Sequence, residues 1–183
     1  MYNWKEVLDY INGEIAGMSF ERQPAELYEP IRYVLSMGGK RIRPVLMLMA
    51  YNLYKEKVEE IGFQAVAIEI YHNYTLLHDD LMDRADMRRG MATVHKKWDD
   101  NAAILSGDSM LVMAYRYMQQ GCPAEHLGDV MSLFTETALE IGEGQQYDMA
   151  FEARADVSEE EYIEMIRLKK DLRGRFIECV VLT

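Results

Sequence analysis

Residues 72–83 read His72-Asn73-Tyr74-Thr75-Leu76-Leu77-His78-Asp79-Asp80-Leu81-Met82-Asp83, placing three carboxylates at the end of an apolar run. If the run is helical, Asp83 lies about 40° around the axis from Asp79, and His72 about 20° from it, so the three share one face. Carboxylates one turn apart against an apolar wall repel each other unless a cation lies between them. Oxygen-only ligands favour Mg²⁺, which keeps water and bridges to phosphate. Two other patterns overlap the stretch. Glu69-x-x-His72 is the spacing of di-iron bundles, but such sites need a second copy, and His78, His95 and His126 lack a glutamate three residues earlier. His78-Asp79 is the dipeptide of metal-dependent phosphohydrolases, whose further His and Asp ligands are not assignable here. A lone His72 in an apolar helix is otherwise a core residue with its polar atoms satisfied.

Gly38-Gly39-Lys40-Arg41-Ile42-Arg43-Pro44 is a second candidate. Two glycines let backbone approach a ligand, bases follow at once, and the proline opens a helix whose positive end adds to their field. Standing alone, the motif reads rather as a helix C-cap followed by solvated bases. Arg88-Arg89-Gly90 follows the acidic stretch closely, so two guanidiniums can fold over a phosphate held there; alone, they are ordinary surface residues. Thr93 and His95 are placed to orient that loop. Gly144-Gln145-Gln146-Tyr147-Asp148 sets polar groups beside small residues that permit close helix packing, or simply caps a helix end.

The elements that must position these groups are helical. Proline and glycine punctuation, capping signals and apolar spacing predict helices over about 3–17, 30–37, 44–56, 61–83, 101–120, 124–149 and 159–169, with Asn101 as one N-cap and Ser158-Glu159-Glu160-Glu161 as a capping box. The 61–83 segment is too apolar for a wide solvated face and should be central. No strand-length alternation is visible, and Arg84 to Gly90 reads as a charged loop, so the class is all-α over a single helical domain, 1–183. Bases number 20 against 31 acids, a net charge of −11 that excludes general affinity for nucleic acid or anionic membranes. A polyanionic ligand must then be held by local bases or metal. Two distant cysteines, no secretory signal and no transmembrane segment (the longest apolar run is Val45 to Tyr51) lead to the expectation of a soluble cytoplasmic protein.

Taken in order, Gly38–Pro44, His72–Asp83, Arg88-Arg89-Gly90 with Thr93 and His95, Ser106-Gly107-Asp108, and Gly144-Gln145-x-x-Asp148 resemble the trans-isoprenyl diphosphate synthases. The likeness covers about residues 35–169. It implies an isoprenoid-synthase-type helical bundle around a central cavity, usually homodimeric, that condenses isopentenyl diphosphate with an allylic diphosphate. By that likeness Asp79 and Asp83, supported by Asp80, bind Mg²⁺ on the allylic diphosphate, and Arg88 and Lys169 also touch it. Lys40, Arg43, His72 and Arg89 would hold isopentenyl diphosphate, with Gln145 bordering the pocket. Tyr74, five residues before Asp79, would limit the product to farnesyl or geranylgeranyl length.

The family's second aspartate-rich motif has no counterpart after Asp83, since Glu159-Glu160-Glu161 is explained as a helix start. After Lys169 the sequence departs from the family in a basic, glycine-interrupted tail, 170–183. The expectation is a bundle incomplete at its C-terminal side, truncated or frameshifted, inactive alone and self-associating over uncovered apolar faces. Two further readings stand beside it: a non-catalytic helical partner of an active synthase, and the His-Asp phosphohydrolase.

Overall fold

The computed structural model describes residues 1–170, which form two compact units, Met1–Gly121 and one beginning at Cys122. The tail expected to be atypical lies, beyond Lys170, outside the described residues. The first unit carries α1 (Trp4–Ala16), α2 (Ala25–Ser36), α3 (Ile42–Tyr51), a 3-10 turn (Val58–Ile61), α4 (Gly62–Met82), a hairpin of β1 (Met87–Arg88) and β2 (Met91–Ala92), α5 (Val94–Lys97) and α6 (Asp100–Gln119). The second carries α7 (Ala124–Phe151) and α8 (Glu159–Lys170).

Helix α4 is the axis of the first unit. Ala65, Val66, Ala67, Ile68, Ile70 and Tyr71 are all buried, which leaves it no solvated stripe. It packs on α6 along its length and on α1, α2 and α3 elsewhere. Ile11, Ile31, Leu48 and Met110 close the core from those helices, each buried side chain contributing about 1.5–3 kcal/mol. At Gly107 of α6 an added Cβ would fall 2.1 Å from His78 Nε2, so a larger residue there would displace the α4 imidazole from this position.

Four sequence expectations shift, the first being α3, which starts at Ile42 behind left-handed Arg41 and ends at Tyr51 rather than running over 44–56. Helix α2 begins at Ala25, with Pro24 at its N-cap and Pro30 inside, because a proline within the first two turns forfeits only one backbone bond while its ring is buried. The N-cap of α6 is Asp99, whose carboxylate accepts the Ala102 N–H at 2.7 Å, not Asn101. The charged loop contains two strands of two residues each, too short for alternation to show. Their turn, Arg89-Gly90, has φ of 52° and 79°, the paired positive values of a type I′ hairpin.

In the second unit the expected capping box is present: Ser158 N–H donates to Glu161 Oε2 at 2.9 Å and Glu161 N–H to Ser158 Oγ at 3.2 Å. Close packing of α8 on α7 runs through Gly144, where a Cβ would lie 2.6 Å from the Lys169 nitrogen. No helix of the described residues is long and apolar enough to cross a membrane.

Candidate active site

Between α2 and α3 the chain turns through Gly38, Gly39 and Arg41, at φ of 71°, 148° and 47°. Glycine enters this region freely; Arg41 does so at a steric cost, and its side chain is anchored accordingly. The buried guanidinium donates from Nη1 to Glu69 Oε1 at 2.6 Å, from Nη2 to the Leu35 carbonyl at 2.9 Å, and from Nε to Asn12 Oδ1 at 3.4 Å. Asn73 adds a donor to the same Glu69 oxygen at 2.9 Å. Glu69 is thus occupied by an arginine, which leaves the Glu69-x-x-His72 di-iron pattern without its carboxylate.

Around this anchored turn lies a cavity of about 440 Å³ lined by Gly39, Lys40, Arg41, Ile42, Arg43, Glu69, His72 and Arg89. All four residues expected to hold isopentenyl diphosphate, Lys40, Arg43, His72 and Arg89, are on its wall. Arg43 Nη1 lies 3.1 Å from His72 Nε2. A guanidinium can only donate, so Nε2 accepts and the imidazole is neutral with its proton on Nδ1. Burial first, then the positive field of Arg43, Arg89, Arg88 and Arg41, pushes His72 down to about 3. Arg89 enters from the hairpin and lies against Gly39, where any Cβ would come within 2.8 Å of its Nη1. Burial and the nearby Arg41 guanidinium hold Arg89 below its ordinary range.

At the other end of the same face, Asp79 and Asp83 close α4, the Asp83 N–H donating to the Asp79 carbonyl at 2.8 Å. The negative end of the helix dipole adds to their charge, and a cation is what such an end favours. Asp80 points elsewhere: Arg88 grips both of its oxygens, Nε to Oδ2 and Nη2 to Oδ1, each at 2.7 Å. That fork raises the Arg88 pKa and fixes the hairpin to α4. Thr93 ties the hairpin base, its Oγ1 donating to the Ala85 carbonyl at 2.7 Å. Among the described residues no three His, Cys, Asp or Glu side chains converge as a ready metal cluster. Two carboxylates with open surroundings nevertheless suit magnesium, which takes its remaining oxygens from water and a diphosphate.

Tyr74 is half-buried between Tyr71 and His78, with ring centroids 5.4 Å and 4.9 Å away. Burial, with the negative charges of Asp108 and Asp79, raises its phenol pKa. His78 Nε2 lies 3.3 Å from the Ile104 carbonyl of α6, turned into a helix contact, which gives the phosphohydrolase reading no support. In the second unit Gln145 is half-buried on α7, and the Lys169 ammonium is paired with Asp148. The residues the sequence left without a role are Arg41 and Glu69. The available signal was a glutamate inside an apolar helix, which burial forces to find a base.

Residues 24–171 match the polyprenyl synthetase family, most of the chain. The chain belongs to the polyprenyl synthetase family. Over 149 residues it is 42% identical to a geranylgeranyl diphosphate synthase of Methanosarcina mazei, covering 80% of this chain and 46% of that protein. A geranylfarnesyl diphosphate synthase of Natronomonas pharaonis is 36% identical over 179 residues, covering 88% of this chain and 52% of the relative. The solved geranylgeranyl pyrophosphate synthetase of the archaeon Geoglobus acetivorans superposes with a TM-score of 0.93 at 37% identity, over 97% of this chain and 59% of that one. The chain thus spans about half the length of the curated relatives it matches. Its all-α class agrees with theirs.

Proposed function

We propose that this chain carries the isopentenyl-diphosphate half and the first metal-binding half of a prenyltransferase site that joins isopentenyl diphosphate to an allylic diphosphate. The observation that supports it most is the convergence of Lys40, Arg43, His72 and Arg89 on one cavity, about two turns of α4 from Asp79. A protein of net charge −11 has little reason to gather four bases around one acid except to hold a polyanion. The archaeal synthases it resembles are named for geranylgeranyl and geranylfarnesyl products.

In this reading Lys40, Arg43 and Arg89 bind the isopentenyl diphosphate, and neutral His72 holds Arg43 in place. Asp79 and Asp83 would hold Mg²⁺, which supplies positive charge to a departing pyrophosphate. Arg88, oriented by Asp80, would contact the allylic diphosphate. The family likeness assigns Lys169 to the same diphosphate and Gln145 to the substrate pocket, both from the second unit. The allylic cation left behind is shielded from water by apolar walls, and Tyr74 limits the length to which the chain grows. We propose a cytoplasmic enzyme that self-associates through exposed α6 residues such as Leu105 and Val112, and that depends on a second acidic wall for full activity. The test is incorporation of labelled isopentenyl diphosphate into longer prenyl diphosphates by the purified protein with Mg²⁺ and farnesyl diphosphate. Elongation well below that of a complete synthase is expected from the chain alone; release of phosphate without elongation would overturn the reading.

A further inference from the structure

Resting on the reading of the basic cavity as the isopentenyl diphosphate site, we propose that the Arg41–Glu69 pair, with Asn12 and Asn73, is a positioning device for that site. Arg41 lines the cavity yet is 4% exposed, and each of its three side-chain nitrogens makes a hydrogen bond, to Glu69, Leu35 and Asn12, so the guanidinium is held against the protein rather than presented to the cavity. What it controls is the backbone. It stands between Lys40 and Arg43 in the left-handed conformation that ends the glycine turn and starts α3, so the direction of both neighbouring cations depends on its φ. An arginine enters that conformation only when its surroundings over-determine it, and here three elements do so at once: α1 through Asn12, the end of α2 through Leu35, and α4 through Glu69. Glu69 is the one acid on the cavity wall. In a site for a polyanion it opposes binding by charge, so its presence is explained by the geometry it secures.

That opposition of charge and geometry makes the test decisive in sign. Glu69→Gln removes a negative charge from an anion site while keeping the side chain's shape. Arg41→Lys keeps the charge but cannot reach Glu69, Leu35 and Asn12 together. The full-length chain and its variants would be titrated calorimetrically with isopentenyl diphosphate at neutral pH, with thermal melts alongside. Positioning predicts that both variants bind about tenfold more weakly at temperatures where they remain folded, and that Asn12→Ala, a surface change, weakens binding about twofold with its melting point unchanged. Tighter binding by Glu69→Gln, or unchanged binding by the Arg41 and Asn12 variants, overturns the proposal. Lys40→Ala separates the two readings: if it weakens binding while the Glu69 and Arg41 variants match the parent, only the positioning role fails. If the parent itself does not bind, the assignment of the cavity fails with it.

Discussion

The two ends of one face of α4, at His72 and at Asp79, are built on opposite principles. At the His72 end, positive charge is assembled in advance: Arg41 is neutralised by Glu69, His72 is kept uncharged, and Gly39 makes room for Arg89. At the Asp79 end negative charge is concentrated on the wrong end of a helix dipole, and Arg88 of the hairpin is paired with Asp80. A preorganised basic cavity binds a diphosphate as it stands. An acidic end of this kind needs a cation before it can hold one, so under the proposed function the two diphosphates would be recognised by different physics on the same helix.

The difference breaks most sharply if Asp79→Asn or Asp83→Asn is tested for Mg²⁺-dependent binding of farnesyl diphosphate. Each is expected to lose about 10²-fold, with isopentenyl diphosphate binding intact in the absence of Mg²⁺; equal losses for both ligands would erase the distinction. At the basic end Arg89→Ala should weaken isopentenyl diphosphate by about 10- to 100-fold, and titration in rising salt should show a shallower dependence than the parent. Removing Arg88 strands a buried carboxylate, so Arg88→Ala should cost about 2 kcal/mol in urea denaturation, less than a fully buried pair because the arginine is partly solvated. His72 supplies a pH-dependent effect, absent at neutral pH as a slope and confined to the acid range. Its folded pKa is about 3, below the 6.5 of the unfolded chain, so its contribution to stability is complete above about pH 6.5 and is lost as pH falls toward 3. His72→Gln should therefore flatten the stability profile across that window, by at most about 1.4 kcal/mol per pH unit. The mildest change is Tyr74→Ala, expected to shift product chromatograms toward longer chains with little change in rate.

The acidic end was almost wholly legible in sequence, because Asp79 and Asp83 recur one helical turn apart in a run whose helicity the apolar density guarantees. Lys40, Arg43 and Arg89 were legible as bases near glycines, and the family likeness grouped them with His72. The pairing of Arg88 with Asp80 was not legible, since a guanidinium eight residues from a carboxylate can equally face solvent or phosphate. It depends on a type I′ turn at Arg89-Gly90 whose strands are too short to leave a periodic trace. The helix starts at Ala25 and Asp100 were misplaced by a few residues for a local reason: Pro30 and Asn101 are good boundary residues, and Pro24 and Asp99 serve as well.

Sequence alone determined the long helices to within a few residues, the carboxylate spacing on α4 and the family, because periodicity and short motifs are local properties of the chain. Tertiary structure decided which charges meet. Arg41 with Glu69, Arg88 with Asp80, and Arg89 against Gly39 join residues 28, 8 and 50 positions apart, and only folding brings such groups within the few ångströms at which desolvated charges choose their partners.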